Sequence, residues 1–176
     1  VKRDFSAEIV ELLTPRPVPS DWRWEGAEAE IGARIPNDYK ALIAALGGYA
    51  VLDDCLGLFQ PEGRMTQSRI ATLVAERDSV WRFLKDRGYR TLPAKYFDEG
   101  VRLIPFALFE ANYFYWVAVS GRPEDEWGVL FVDADFEDWL EFDMSATEFI
   151  YNILSGRLKL WVLDEYFLDP PYTYIQ

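Results

Sequence analysis

Gly32-Ala-Arg-Ile-Pro-Asn-Asp-Tyr-Lys-Ala-Leu-Ile-Ala-Ala-Leu-Gly-Gly48 contains the start, the buried face and the stop of one helix. Pro36 suits a first helical position, where its missing N–H is not needed. Asn37 and Asp38 put polar and negative groups in the first turn, where the helix dipole favours them. Tyr39, Leu42, Ile43 and Leu46 recur at helical spacing and form one apolar stripe. Gly47 suits the left-handed conformation that ends a helix, and Gly48 releases the chain. The result is a short amphipathic helix lying on a core, with no chemistry of its own.

Working outward toward the N-terminus, Phe5-Ser6 opens a helix with Ser6 as its cap and Ile9, Leu12 and Leu13 as its stripe. Thr14-Pro15-Arg16-Pro17-Val18-Pro19 forbids a helix and reads as an extended connector. Ser20 or Asp21 is placed to cap a further helix through Trp24, Ala27 and Ile31. Downstream, the period changes over Tyr49–Pro61: Leu56, Leu58 and Phe59 read as a short strand, preceded by a turn at Asp53-Asp54. Thr66–Arg87 is the longest helical pattern, with Ile70, Leu73, Val74, Trp81 and Leu84 on one face. Its other face carries Arg64, Arg69, Arg77, Arg82, Lys85 and Arg87, with Arg90 and Lys95 beyond. That face reads as a nucleic-acid contact or as a solvated, internally paired surface, and the acidic region downstream favours the second.

Val101–Phe142 is the sheet. Val101–Phe109 is a strand whose Pro105 indicates an edge or a bulge. Tyr113–Val119 and Trp127–Val132 are apolar on both faces, as in central strands covered above and below. Asp138–Phe142 alternates, and the short connections make neighbours antiparallel. Ser145-Ala-Thr-Glu148 is a capping box, with Met144 and Phe149 placed as a hydrophobic staple, and Gly156 stops the helix that follows. Phe149, Ile150, Ile153 and Leu154 face inward. The tail from Leu158 to Gln176 is rich in aromatics and is expected to pack across the sheet.

The expected fold is therefore α+β. A single domain holds an antiparallel sheet of about four to six strands, packed by N-terminal, middle and C-terminal helices. Residues 1–19 form the first helix and connector, 20–157 the main domain with a helical insertion at about 62–100, and 158–176 the packed tail.

The 176 residues suffice for one real core, and half of them are apolar. Histidine is absent. This removes the commonest general base, the Ser-His and Cys-His nucleophile pairs and His-based metal sites. The one cysteine, Cys55, forms no internal disulfide and fits a reducing cytoplasm. The opening Val-Lys-Arg-Asp has no apolar signal-peptide core, and no run reaches membrane-spanning length. Asp133-Ala-Asp135-Phe-Glu137-Asp138 is the densest polar constellation. As a calcium loop it fails, because Asp138 stands where a glycine is needed and Met144 where the last acid belongs. No catalytic motif, cofactor site or metal site emerges.

The net charge of −12 is uneven. Residues 1–122 carry 16 basic and 17 acidic side chains, whereas 123–156 carry ten acidic and no basic ones. Direct binding to nucleic acid is disfavoured, and a basic partner would be steered to the acidic region. Acidic surfaces also serve solubility alone.

Gly32, Ile35, Pro36, Asp38, Tyr39 and Gly48 resemble the signature of the SUKH superfamily, the Smi/Knr-type domains. So do Leu103-Ile104-Pro105-Phe106 before an aromatic hairpin, the Trp127-Gly-Val strand, the acidic turn and the Ser145-x-Thr147-Glu148-Phe149-Ile150 helix. The resemblance spans roughly residues 20–157. Ile35 in place of the usual Leu, the long 62–100 segment and the aromatic tail depart from it. The resemblance implies an α+β, non-enzymatic protein, and for many bacterial members an immunity protein that neutralises a cognate toxin, often one acting on nucleic acid. The alternative is a SUKH-type adaptor without a toxin. With the charge map, it implies a toxin-binding face of Glu110, Asn112, Glu124, Asp125, Glu126, Trp127, Asp133, Asp135, Glu137, Asp138 and Glu141. Trp127 and Trp139 are the aromatic anchors this face offers, and core packing competes for them. The implied partner is a basic toxin domain, met in the cytoplasm, with no nucleic acid or membrane bound directly.

Overall fold

A computed structural model describes residues 2–47, 50–62, 68–89 and 92–175. Gly48, Tyr49, Arg64, Thr66 and Arg90, which the sequence assigned to a helix stop, a strand region, a basic face and a helix start, lie outside the described residues. Among those described, the helices are α1 (Ser6–Glu11), α2 (Glu25–Ile31), α3 (Asn37–Leu46), α4 (Ile70–Asp86) and α5 (Ala146–Leu154). The strands are β1 (Leu13–Thr14), β2 (Ala50–Leu52), β3 (Leu56–Leu58), β4 (Val101–Phe109), β5 (Asn112–Val119), β6 (Gly128–Val132), β7 (Trp139–Phe142) and β8 (Tyr172–Ile175). They form one sheet in the order β1-β8-β2-β3-β4-β5-β6-β7.

The α+β class is as expected, but the sheet is larger and mixed. It has eight strands, and β1 pairs with β8 in parallel. The additional strands are only two to four residues long, too short for an alternating pattern to emerge from the sequence. The aromatic tail runs over the sheet, with Trp161 against Phe131 of β6 and Tyr166 against Phe109 of β4, and its end joins the sheet as a strand. It inserts β8 between β1 and β2, and the Tyr172 hydroxyl lies 2.7 Å from the carbonyl oxygen of Leu154 and 2.8 Å from that of Phe167.

The signature helix α3 is fastened in two directions by adjacent residues. Asp38 Oδ2 accepts hydrogen bonds from the Thr147 backbone N–H (3.0 Å) and hydroxyl (2.8 Å), tying α3 to the start of α5. Tyr39 points the other way and is fully buried against Trp116, with ring centroids 4.9 Å apart. Its hydroxyl sits 2.7 Å from the carbonyls of both Phe59 and Phe106. The β4–β5 register shifts between Pro105 and Ala107. Pro105 has no N–H to give the ladder, and β4 is internal, so its proline marks a bulge and not an edge.

Two caps differ from expectation. Asp4 Oδ1, not Ser6, accepts the Ser6 N–H at the start of α1. Ser20 caps no helix; its hydroxyl donates to the Gly47 carbonyl at the end of α3. At α5 the Ser145 hydroxyl accepts from the Glu148 N–H at 3.1 Å, as the capping box requires.

Both faces of the central sheet are covered, which explains the continuous apolar runs. Phe114, Trp116, Val129 and Phe131 face the core shared with α1, α2, α3 and α5. Tyr115, Val117, Leu130 and Val132 face a second core with Trp81 and Leu84 of α4 and with Tyr96. Arg77, expected on the exposed basic face, is buried in that second core. Its guanidinium lies 4.4 Å from the Tyr113 ring centroid and 4.9 Å from that of Trp81, and its Nε donates to the Tyr115 hydroxyl at 2.9 Å. No described helix is long and apolar enough to cross a membrane.

Candidate functional site

Hairpin topology sorts the acidic residues between two ends of the sheet. The β2–β3, β4–β5 and β6–β7 turns all emerge at one end, spaced about 10 Å apart by two strand widths. The β5–β6 connection, with Glu124, Asp125, Glu126 and Trp127, emerges at the other. The eight residues of β5 separate the ends by about 25 Å. The expected face from Glu124 to Glu141 is therefore not one surface.

At the three-turn end the carboxylates come from Asp53 and Asp54, from Glu110, and from Asp135, Glu137 and Asp138. None of them joins an ion pair among the described residues, and no Lys or Arg belongs to these turns. Each turn holds a non-glycine residue at positive φ: Asp53 (50°), Asp54 (55°), Glu110 (54°) and Phe136 (61°). Side chains fix the turns. Asn112, buried, donates to the Phe109 carbonyl and accepts the Ala134 N–H, joining the β4–β5 turn to the β6–β7 loop. Asp133 Oδ1 accepts the N–H groups of Glu137 and Asp138, both at 2.8 Å. Phe136 packs inward on Trp81, with centroids 5.5 Å apart. Asn112 and Asp133 thus hold the loop internally, and the exposed Asp135, Glu137 and Asp138 are what it presents.

The C-terminal segment brings a component that the sequence reading missed. Trp161, Asp164, Glu165 and Tyr166 meet Glu110 and Asn112 around a cleft of about 580 Å³. Trp161 is 56% exposed and Tyr166 38%, although Tyr166 edges onto Phe109 with centroids 4.9 Å apart. Three carboxylates and two accessible aromatic rings suit the guanidinium or ammonium of a partner side chain. The signal in the sequence was the adjacent acids Asp164-Glu165 set between Trp161 and Tyr166, in a segment read as packing.

At the opposite end the acids are mostly engaged. Asp125 accepts from the Asn37 N–H and side-chain amide, both at 2.7 Å, and so caps α3 from 88 residues away. Asp143 pairs with Lys2 at 2.9 Å, which holds its carboxyl below the usual range. Trp127 is 7% exposed, and its indole N–H donates to the Arg122 carbonyl; it is a core residue and not an anchor. Glu124 and Glu126 of the β5–β6 connection join no ion pair among the described residues.

Glu141 lies on β7, opposite Leu130 and away from both groups. Partial burial raises its pKa, but hydrogen bonds from Lys95 (2.7 Å) and Tyr96 (2.9 Å) outweigh this and leave it lowered. Trp139, half-buried, stacks on Tyr96 with centroids 5.5 Å apart and belongs to the second core's margin.

Cys55 sits in the β2–β3 turn, half-buried. Burial, followed by the charge of Asp53, pushes its thiol up to about 12, which opposes formation of a nucleophilic thiolate. Among the described residues no group of three or more His, Cys, Asp or Glu is arranged to hold a metal ion. What the acidic end can do is bind a positively charged surface. No family model, curated protein or solved structure matches the chain.

Proposed function

We propose that this protein is a SUKH-type immunity protein: a non-enzymatic, cytoplasmic inhibitor that binds a basic toxin domain acting on nucleic acid. The observation that carries this reading is the row of unpaired carboxylates at the three-turn end, rising beside the Trp161–Tyr166 cleft. A nucleic-acid enzyme has a cationic groove shaped for phosphates, and rigidly held carboxylates can occupy it in their place. The contact surface comprises Glu110, Asp135, Glu137 and Asp138, joined by Asp53, Asp54, Asp164 and Glu165, with Trp161 and Tyr166 as anchors. Asn112 and Asp133 support it from within, while Glu124, Asp125, Glu126, Trp127 and Glu141 lie outside it.

The test is co-purification of the protein with the product of the adjacent gene at low and high salt. A basic toxin domain comes down, and salt weakens the complex. Combining E110Q, D164N and E165Q lowers the affinity about 100-fold, whereas E124Q with E126Q leaves it within about threefold. The reverse ranking moves the interface to the opposite end. Recovery of housekeeping proteins alone replaces the inhibitor with an adaptor.

A further inference from the structure

A second cavity, of about 420 Å³, opens on the other side of the molecule between α4 and residues 96–103. We propose that it binds a small planar organic anion, an aromatic ring bearing a carboxylate, sulfonate or phosphate. Its size falls within the range of small-molecule sites, and its construction follows the usual plan of an apolar floor with a few polar groups at the rim.

The floor is Trp81, Phe97 and Leu103. Trp81 is held by neighbouring rings, with centroids 5.6 Å from Phe97 and 5.7 Å from Tyr115, so the platform is formed without a ligand. Flat aromatic walls favour a flat guest. The sign of the charge follows from the rim. Arg102 is occupied by Asp78 at 2.6 Å and by the Ile31 carbonyl. That pairing leaves Arg82 and Lys85 against Asp86, a positive balance on a protein of net charge −12. Arg82 and Lys85 are exposed, one helical turn apart, and neither joins an ion pair among the described residues. Lys85 Nζ lies 5.9 Å from the centroid of the Phe97 ring, over the floor.

Trp81 is 6% exposed, so its ring edge rather than its buried indole N–H meets the cavity. A ring-borne anionic oxygen matches the two rim cations while its ring meets the apolar floor.

The probe is 2-naphthoate, compared with its neutral analogue 2-naphthylmethanol on the whole chain, by calorimetry and amide chemical shifts. Naphthoate is expected to bind one to one, about tenfold tighter than the alcohol, which is about 1.4 kcal/mol. The shifts concentrate in residues 78–86 and 96–103. Combining R82Q with K85Q, both at exposed positions that leave the fold intact, brings the two ligands within about twofold. Equal affinities in the native chain overturn the anion assignment. Absent or non-saturable binding, or shifts centred on the three-turn end, overturns the site. Neither result bears on the toxin interface, which lies elsewhere.

Discussion

The two ends of the central sheet carry similar residue types but use them in opposite ways. At the β5–β6 end, Asp125 caps α3 and Asp143 pairs with Lys2, whose ammonium also reaches the Trp127 and Met144 carbonyls. Those charges hold the fold together. At the three-turn end the equivalent charges join no ion pair among the described residues, and backbone N–H groups or packing set the loop shapes. Like charges kept close without counter-charges oppose compactness. The difference teaches that an acidic residue count cannot locate a binding surface; what matters is which carboxylates have been left without a partner.

The largest expected contrast between the ends is chemical. Burial and the Asp53 charge push the Cys55 thiol up to about 12, so it holds far less thiolate below pH 9 than a free thiol. Its alkylation at pH 8 is expected to be slower by at least about a hundredfold than that of a thiol placed at the other end by S120C in a C55S background. D53N removes the nearest charge and speeds Cys55 alkylation, though by less than unfolding does, because burial is the larger cause. Equal rates at the two ends would mean that the three-turn end lacks the burial and negative field argued for it.

Stability separates the ends next. D125A removes both acceptors for Asn37 at the start of α3 and should cost about 1 kcal/mol, or 2–4 °C in Tm. D135A removes an exposed carboxylate that joins no ion pair among the described residues and should leave Tm unchanged or slightly raised. Added salt narrows the contrast, because it screens both the repulsion that D135A relieves and the charge of the Asp125 cap. A thermal melt of each variant at two salt concentrations decides it, and equal losses would show that Asp135 has a structural partner.

Much of this arrangement was legible in the sequence, and the residues show why. Helical period, Pro36 and Gly47 delimited α3; Ser145 and Glu148 announced α5; the apolar runs of β5 and β6 declared a sheet covered on both faces. These signals are local, so one window contains them. What was missed is nonlocal. Asp125 and Asn37 are distant in the chain, and only the turn of the β5–β6 connection onto α3 makes a cap of Asp125. Adjacent charges on either side of β6 look like one acidic run, yet a strand carries its two ends to opposite edges of the sheet. Trp161 and Tyr166 were hidden by the ordinary expectation that aromatics pack inward, which Phe167 and Tyr172 do and these two do only in part.

The smallest effect is the most pointed, because it sets stability against function at one residue. Glu110 occupies the β4–β5 turn at φ 54°, where a side chain is strained and glycine is not. Its carboxylate joins no ion pair among the described residues, and its neighbour Asn112 already spans the turn through the Phe109 carbonyl. E110G should therefore stabilise the protein by about 0.5–1 kcal/mol, the relieved strain exceeding the added chain entropy. The same change removes one of the three carboxylates lining the cleft. A variant that melts higher but holds its basic partner less tightly fits a strained residue kept for binding. If E110G melts lower, the Glu110 side chain contributes to the turn itself, and the two ends are less different than their ion pairs make them.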